Sequence, residues 1–317
     1  MEVVKILPRG YCHGVITAMH KVSEAISDDS LAQPIYILGQ IVHNQNITKA
    51  FSEKGVITLS GGSREELLEQ VDQGTVIITA HGIDYHLIKK AKDKGLNVID
   101  ATCSDVYKTH DIIKDKLNDG YEVIYIGKKN HPEPEGVLGI NKEKIHLVEN
   151  TTDIDNLNIS SDKICITNQT TMSTWDVDDL IKYANTKYPN LEVIKEICNA
   201  TQERQEAVVN QAKDCDLCLV VGDVASNNSK RLVDVCEKKA KTKAKLIADV
   251  NDIDINWLLD PSVKKVGVTS GASTPSILTN QVIEYINQFE KDDEETHIKP
   301  EIPSFSRMIP RSKKPAK

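Results

Sequence analysis

Short β-branched runs alternate with polar, Ala-containing helical patterns along almost the whole chain, and three of the runs end alike. Val3 to Leu7 leads through Pro8-Arg9-Gly10-Tyr11 to Cys12. Leu96 to Ile99 leads through Asp100-Ala101-Thr102 to Cys103, and Val193 to Ile197 leads directly to Cys198. A helical pattern begins immediately behind each cysteine, so each cysteine is expected to end a strand and open a helix. The cysteines are 91 and 95 residues apart, a near-constant period that predicts an internal threefold repeat.

The remaining pattern fills in three similar units. In the first, a helix over 14–26 precedes the run Pro34 to Gly39, which leads out to His43-Asn44-Gln45. Val56 to Leu59 follows, then Ser63 and Glu66 at capping-box spacing, and Gly74 to Thr79 leads out to Ala80-His81-Gly82; the next helix stops at Gly95. In the second, Tyr121 to Gly127 leads to His131-Pro132-Glu133, and Lys163 to Thr167 leads to Gln169-Thr170-Thr171 ahead of a helix through Tyr183. In the third, Leu217 to Val221 leads to Ser226-Asn227-Asn228-Ser229. Lys265 to Thr269 leads to Ser273-Thr274-Pro275, read as a helix start with Pro in its first turn, and the last helix runs to about Phe289. Strands alternating with helices at these lengths predict an α/β fold of parallel βαβ units, whose ligands gather at the carboxyl ends of the strands. The expected units are 1–95, 96–191 and 192–289. Residues 290–317 form a charged C-terminal tail, carrying Arg307, Arg311, Lys313, Lys314 and Lys317, expected to be solvated or loosely attached.

Composition narrows the picture. With 317 residues, 39% hydrophobic and 4% aromatic, the chain has the make-up of an α/β protein of two or three domains. A net charge of −8 repels nucleic acid and anionic membrane, so any anion site must be local. No run approaches the length of a membrane helix and Met1 leads straight into a strand-like run, so the expected address is the cytoplasm.

Seven cysteines, an odd number, direct attention to metal or catalytic chemistry. Cys215 and Cys218 have CxxC spacing but run into Leu219-Val220-Val221-Gly222. They read as strand residues facing opposite ways and, with Cys165 and Cys236, as buried hydrophobes. Cys12, Cys103 and Cys198 are different, because they share one place in the repeat. Three thiolates meeting at one point could serve a zinc site, although zinc favours four ligands with close pairs. They could instead hold a [4Fe-4S] cluster whose fourth iron stays open, or be unrelated buried thiols. Around them the strand tips offer His43, His81, Ser226, Asn228 and Ser273, short donors near helix starts that suit phosphate. Glu133, beside His131, is the one carboxylate placed in this ring and a candidate proton donor.

Taken together, Arg9-Gly10-Tyr11-Cys12-His13-Gly14-Val15, Val42-His43-Asn44, Ala80-His81-Gly82, Asp100-Ala101-Thr102-Cys103, His131-Pro132-Glu133, Gln169-Thr170-Thr171, Cys198-Asn199-Ala200-Thr201 and Ser226-Asn227-Asn228-Ser229 resemble the 4-hydroxy-3-methylbut-2-enyl diphosphate reductase family, IspH or LytB, from about Val3 to Phe289. The resemblance implies a trefoil of three pseudo-symmetric α/β units around a central iron–sulfur cluster. One [4Fe-4S] cluster per chain would be held by Cys12, Cys103 and Cys198, with one iron not bound by cysteine. In such enzymes the open iron binds the allylic hydroxyl and the cluster delivers electrons that remove it as water. The products are isopentenyl and dimethylallyl diphosphate, the last step of the non-mevalonate isoprenoid pathway. By the same resemblance His43, His81, Ser226, Asn227, Asn228 and Ser273 hold the diphosphate, His131 and Thr170 order the hydroxyl and the proton path, and Glu133 supplies protons. It also implies an electron-donor protein such as ferredoxin or flavodoxin as partner, and no nucleic acid or membrane. Two positions depart from the family pattern: Asn227 where serine is common, and His13 where a smaller residue is often seen. A non-catalytic cluster-bearing redox sensor, and a metal-free phosphate-binding protein with buried thiols, are the alternatives. A brown colour in anaerobically purified protein rejects the second.

Overall fold

A computed structural model describes residues 1–310. The chain repeats the series strand–helix four times over, three times in succession. The first series is β1 (Glu2–Lys5), α1 (His13–Ser27), β2 (Ile35–Leu38), α2 (Gln45–Ser52), β3 (Ile57–Leu59), α3 (Arg64–Glu69), β4 (Thr75–Ile78) and α4 (Tyr85–Asp93). The second is β5 (Asn97–Asp100), α5 (Ser104–Asn118), β6 (Glu122–Ile126), α6 (Pro132–Leu138), β7 (Ile145–Val148), α7 (Thr151–Asp155), β8 (Ile164–Asn168) and α8 (Thr174–Lys187). The third is β9 (Glu192–Val193), α9 (Asn199–Gln211), β10 (Leu217–Val221), α10 (Asn227–Val235), β11 (Lys243–Ile247), α11 (Ile255–Leu259), β12 (Lys265–Ser270) and α12 (Ser276–Gln288).

Three parallel four-stranded sheets result, in the orders β3-β2-β4-β5, β7-β6-β8-β9 and β11-β10-β12-β1. The α/β class and the threefold plan expected from the sequence are therefore present. Each sheet takes the second, third and fourth strands of one series and the first strand of the next. The chain's own first strand closes on the last sheet, with Val3 opposite Val266. Every residue of β4, β6, β8 and β10 is buried, as expected of strands covered by helices on both faces. By compactness the chain divides into two units. One holds residues 1–16, 43–50 and 199–317, with the β11-β10-β12-β1 sheet. The other holds 17–42 and 51–198, with the other two sheets.

Two expectations are corrected. The strands do not reach the cysteines: β1, β5 and β9 end at Lys5, Asp100 and Val193, and the chain crosses to the tip of the neighbouring strand first. The segment after Phe289 is not loosely attached over its described part. His297 stacks on Phe289 with ring centroids 4.4 Å apart, Lys299 Nζ donates to the Asn251 carbonyl at 2.8 Å, and Met308 is buried and accepts from the Tyr11 hydroxyl at 2.7 Å. Met308 finds a buried place although Ile298 stays exposed, and both lysines, Lys291 and Lys299, find backbone carbonyls. Arg311, Lys313, Lys314 and Lys317 lie outside the described residues. Among the described residues no helix is long and apolar enough to cross a membrane.

Candidate active site

The repeat is written in hydrogen bonds. Cys12 N–H donates to the Ala272 carbonyl at 3.0 Å, Cys103 N–H to Ala80 at 3.0 Å, and Cys198 N–H to Thr170 at 3.1 Å. Each acceptor lies two residues beyond the end of the strand beside which the cysteine's own strand runs, β12, β4 or β8. Each cysteine then stands immediately before the helix α1, α5 or α9, where unpaired backbone N–H groups favour negative charge. All three are half-buried, whereas Cys165, Cys215, Cys218 and Cys236 are buried. Burial pushes the Cys165 thiol up to about 12 and the Cys215 thiol up to about 11. Cys218 is raised by its contact with the Cys236 sulfur and by burial. Cys165, Cys215 and Cys218 stay neutral thiols, and Cys236 is buried in the core with them; the other three have the access and setting of ligands, and their softness suits an iron–sulfur centre.

In the unit holding residues 51–198, five predicted residues come together. His131 caps α6, its Nδ1 accepting from the Glu133 N–H at 3.2 Å, which leaves the imidazole Nε2 to donate. The His81 and His131 rings meet edge to face with centroids 5.3 Å apart. Glu133 is 1% exposed. Its Oε1 accepts from the Thr170 N–H at 2.7 Å, its Oε2 from the Thr170 hydroxyl at 3.1 Å, and the Tyr125 hydroxyl stands 3.5 Å from Oε1. Thr170 in turn holds the Cys198 N–H by its carbonyl. Burial drives the Glu133 carboxyl up to about 7 against the lowering effect of these donors, with Asp105 adding a smaller like-charge push.

That shift costs the fold. Glu133 contributes no penalty below its ordinary value of 4.5, where it is protonated folded or unfolded; stability falls as pH rises through about 7. The loss amounts to on the order of 3 kcal/mol. Glu133→Gln, which keeps the shape but cannot ionise, is therefore expected to unfold at a higher urea concentration than the parent at pH 8 and at nearly the same concentration at pH 4. Coincident midpoints at both pH values would contradict the burial argument.

In the other unit, the Ser273 hydroxyl donates to the His43 carbonyl at 3.0 Å, tying two predicted tips together. Asp223 receives the N–H groups of Gln45 and Ala225, each at 2.8 Å, and so fixes the start of α2 against the tip after β10. Ser226 caps α10, accepting from the Ser229 N–H at 3.2 Å. Asn227 and Asn228 form the buried first turn behind it. Asn228 Nδ2 is buried with no hydrogen-bond partner among the described residues, an orphaned donor at a helix N-terminus that fits an anionic ligand. Ser273 does not begin the helix that follows: Pro275 occupies the N-cap position, since proline forces the residue before it out of the helical region.

Several supporting residues escaped the sequence reading. Arg204, buried on α9, donates to the Gly10 carbonyl at 2.7 Å and braces the loop that carries Cys12. Gly10 has φ +81° and gives its N–H to Ser270 Oγ at 2.8 Å, a turn suited to glycine. Gly39, Gly127 and Gly222 each follow the second strand of a series and donate to the last residue of the third, at 2.9, 3.0 and 2.8 Å. In each case a Cβ would strike a helix side chain: Arg64 of α3 at Gly39, Pro134 of α6 at Gly127 and Ser229 of α10 at Gly222. This glycine period was visible in the sequence. In the same register Thr170 corresponds to Ala80 and Ala272, so the position equivalent to His81 and Ser273 is Thr171.

Known proteins share this sequence and fold. Residues 3–287 match the family model described as LytB protein. The chain is 54% identical over 313 residues to the 4-hydroxy-3-methylbut-2-enyl diphosphate reductase of Geobacillus sp. (strain WCH70), covering 99% of both chains. It is 55% identical to that of Geobacillus kaustophilus (strain HTA426), covering 99% of this chain and 98% of the relative. Among solved structures it is similar to the E-1-hydroxy-2-methyl-but-2-enyl-4-diphosphate reductase from Plasmodium falciparum, with TM-score 0.82 and 35% identity, covering 89% of this chain and 87% of that one. A second, titled (E)-4-hydroxy-3-methyl-but-2-enyl diphosphate reductase, the terminal enzyme of the non-mevalonate pathway, has TM-score 0.64 and 31% identity, covering 91% of this chain and 100% of that one.

Proposed function

The chain belongs to the LytB protein family, and from that membership we infer that it is an oxidoreductase that removes the hydroxyl of (E)-4-hydroxy-3-methylbut-2-enyl diphosphate. The products are isopentenyl and dimethylallyl diphosphate, and the step closes the non-mevalonate route to isoprenoids. The family is one of iron–sulfur enzymes. Breaking the allylic C–O bond consumes two electrons and two protons, one proton leaving in water and one retained on carbon.

In this reading the cofactor is a single [4Fe-4S] cluster held by Cys12, Cys103 and Cys198, with one iron not bound by cysteine. Their shared place in the three series and their half-buried setting support it. When bound, such a cluster supplies electrons and a Lewis-acidic iron. The protein's own residues bind the diphosphate, exclude water and deliver protons. His43, His81, Ser226, Asn227, Asn228 and Ser273 hold the diphosphate, and His131 and Thr170 order the hydroxyl end. Glu133 donates protons: a carboxyl with an affinity near neutrality is well matched to an acid that must be neutral before transfer and ionised after it. The observation that carries most weight is the Glu133–Thr170–Cys198 chain of contacts, which joins the one buried acid to a cysteine-bearing segment.

A small electron-donor protein such as ferredoxin or flavodoxin completes the reading. So does a cytoplasmic address, where the seven free cysteines remain reduced. The decisive experiment is an anaerobic assay with the diphosphate substrate and a chemical reductant. Brown protein that turns the substrate over supports the reading, and brown protein that binds it without turnover leaves a sensor.

Because the net charge of −8 offers no general attraction to anions, individual donors must dominate binding. Losing one charge-assisted hydrogen bond costs about 1.5 to 3 kcal/mol, so Asn228→Ala and His43→Ala are each expected to weaken substrate binding about tenfold or more. Calorimetric titration checks this, and unchanged affinity in both variants would move the diphosphate elsewhere.

A further inference from the structure

Tyr125 is 0% exposed, in the apolar cluster formed with Ile113, Val123 and Val137. A phenol taken out of water needs a hydrogen-bond partner. Among the described residues the hydroxyl of Tyr125 has one, Glu133 Oε1 at 3.5 Å. The ring is accommodated there by the absence of a side chain at Gly127, where a Cβ would lie 2.9 Å from Tyr125 Cε1 and 2.9 Å from Pro134 Cγ. Among the described residues the three donors are distributed unequally: Oε1 faces the Thr170 N–H at 2.7 Å and the Tyr125 hydroxyl, while Oε2 faces the Thr170 hydroxyl alone, at 3.1 Å.

We propose that Tyr125 is a positioning residue for proton delivery, holding Glu133 Oε1 as a permanent acceptor so that the transferable proton resides on Oε2 beside the Thr170 hydroxyl. A backbone N–H cannot accept, and among the described residues the Tyr125 hydroxyl has no other acceptor for its own proton, so a proton on Oε1 would leave one of its two donors unpaired, whereas the Thr170 hydroxyl, open to the reacting group in this reading, can reverse its role. In the neutral acid the Oε2–H bond donates to Thr170 Oγ1. When that bond breaks its proton passes to Thr170 Oγ1 while the original Thr170 hydroxyl proton passes to the reacting group, so the Thr170 hydroxyl is left donating to Oε2. The carboxylate left behind keeps both donors at Oε1, and solvent restores the proton. The inference rests on the reading of Glu133 as the acid. The groups facing it are Tyr125 from β6, Thr170 from the tip of β8 and Asp105 from α5, with His131 capping its own helix.

Tyr125→Phe removes one oxygen and leaves the ring in its apolar cluster. Taking a donor from the carboxylate favours the protonated acid, so the sign of the effect is fixed: Glu133 keeps its proton to higher pH. Holoenzymes of the parent, Tyr125→Phe and Glu133→Gln are compared in the pH profile of kcat and in the infrared carbonyl band of a protonated carboxyl. The Phe variant is expected to keep its iron content and KM, to lose severalfold in kcat, and to shift the alkaline limb and the band upward by about 0.5 to 1 pH unit. If the limb disappears in Glu133→Gln but limb and band are unmoved in Tyr125→Phe, the role of Tyr125 is refuted while the acid stands. If the limb survives in Glu133→Gln, the acid itself is misassigned, and the inference falls with it.

Discussion

Serine at position 12, 103 or 198 is expected to strip most of the iron and sulfide from the anaerobically purified protein, while serine at 165, 215, 218 or 236 leaves the full complement. Serine keeps the size of cysteine and the backbone hook, so the N–H bonds to Ala272, Ala80 and Thr170 should survive the exchange. What is lost is the soft thiolate, which an alkoxide cannot replace because a hydroxyl is far harder to deprotonate and a poorer partner for iron–sulfur centres. The four remaining cysteines are buried core residues, and the thiols of Cys165, Cys215 and Cys218 are held protonated, chiefly by burial or by a sulfur neighbour, so exchange of any of the four costs packing rather than cluster. Iron and sulfide counts with the visible absorption band give the readout. Cluster lost from Cys215→Ser but retained in Cys12→Ser would overturn the ligand assignment.

The fold was legible where local rules decide it. The capping box at Ser63 and Glu66 is present as read, because both of its bonds lie within four residues. The buried runs of β4, β6, β8 and β10 announced themselves as short stretches of mainly β-branched and other apolar residues. Long-range bonds were harder. Nothing near Val193 says that regular pairing ends there or that Cys198 must reach the Thr170 carbonyl. Nor does the sequence say that β1 pairs with β12 at the far end of the chain. The segment after Phe289 looked solvated because charges dominate it, yet one stacked His297 and one buried Met308 suffice to dock it. The candidate site was legible as residue types at strand tips. Its support was not: Tyr125 reads as one more strand residue, and only the folded chain shows its hydroxyl facing Glu133.

Glu133→Gln is expected to retain its cluster and bind substrate while turnover falls by about 10² to 10⁴, the usual worth of a general acid. The amide is nearly isosteric, and its carbonyl oxygen can still accept the 2.7 Å bond from the Thr170 N–H, so the substitution isolates the proton rather than the architecture. Its NH₂ can meet the Thr170 hydroxyl at the place of Oε2, which accepts one bond at 3.1 Å in the parent. A residue that merely ordered the substrate would show its loss in KM and leave kcat close to the parent, so the two roles separate in one experiment. The carboxyl's affinity near 7 adds a second signature, because a parent limb in the neutral range should vanish from the variant's pH profile. Single-turnover reduction of the bound substrate, followed by product quantification, avoids any limit set by the electron donor. Turnover close to the parent rate with a full cluster would mean that a water chain or another group supplies the proton, and that Glu133 is buried beside Thr170 for structural reasons alone.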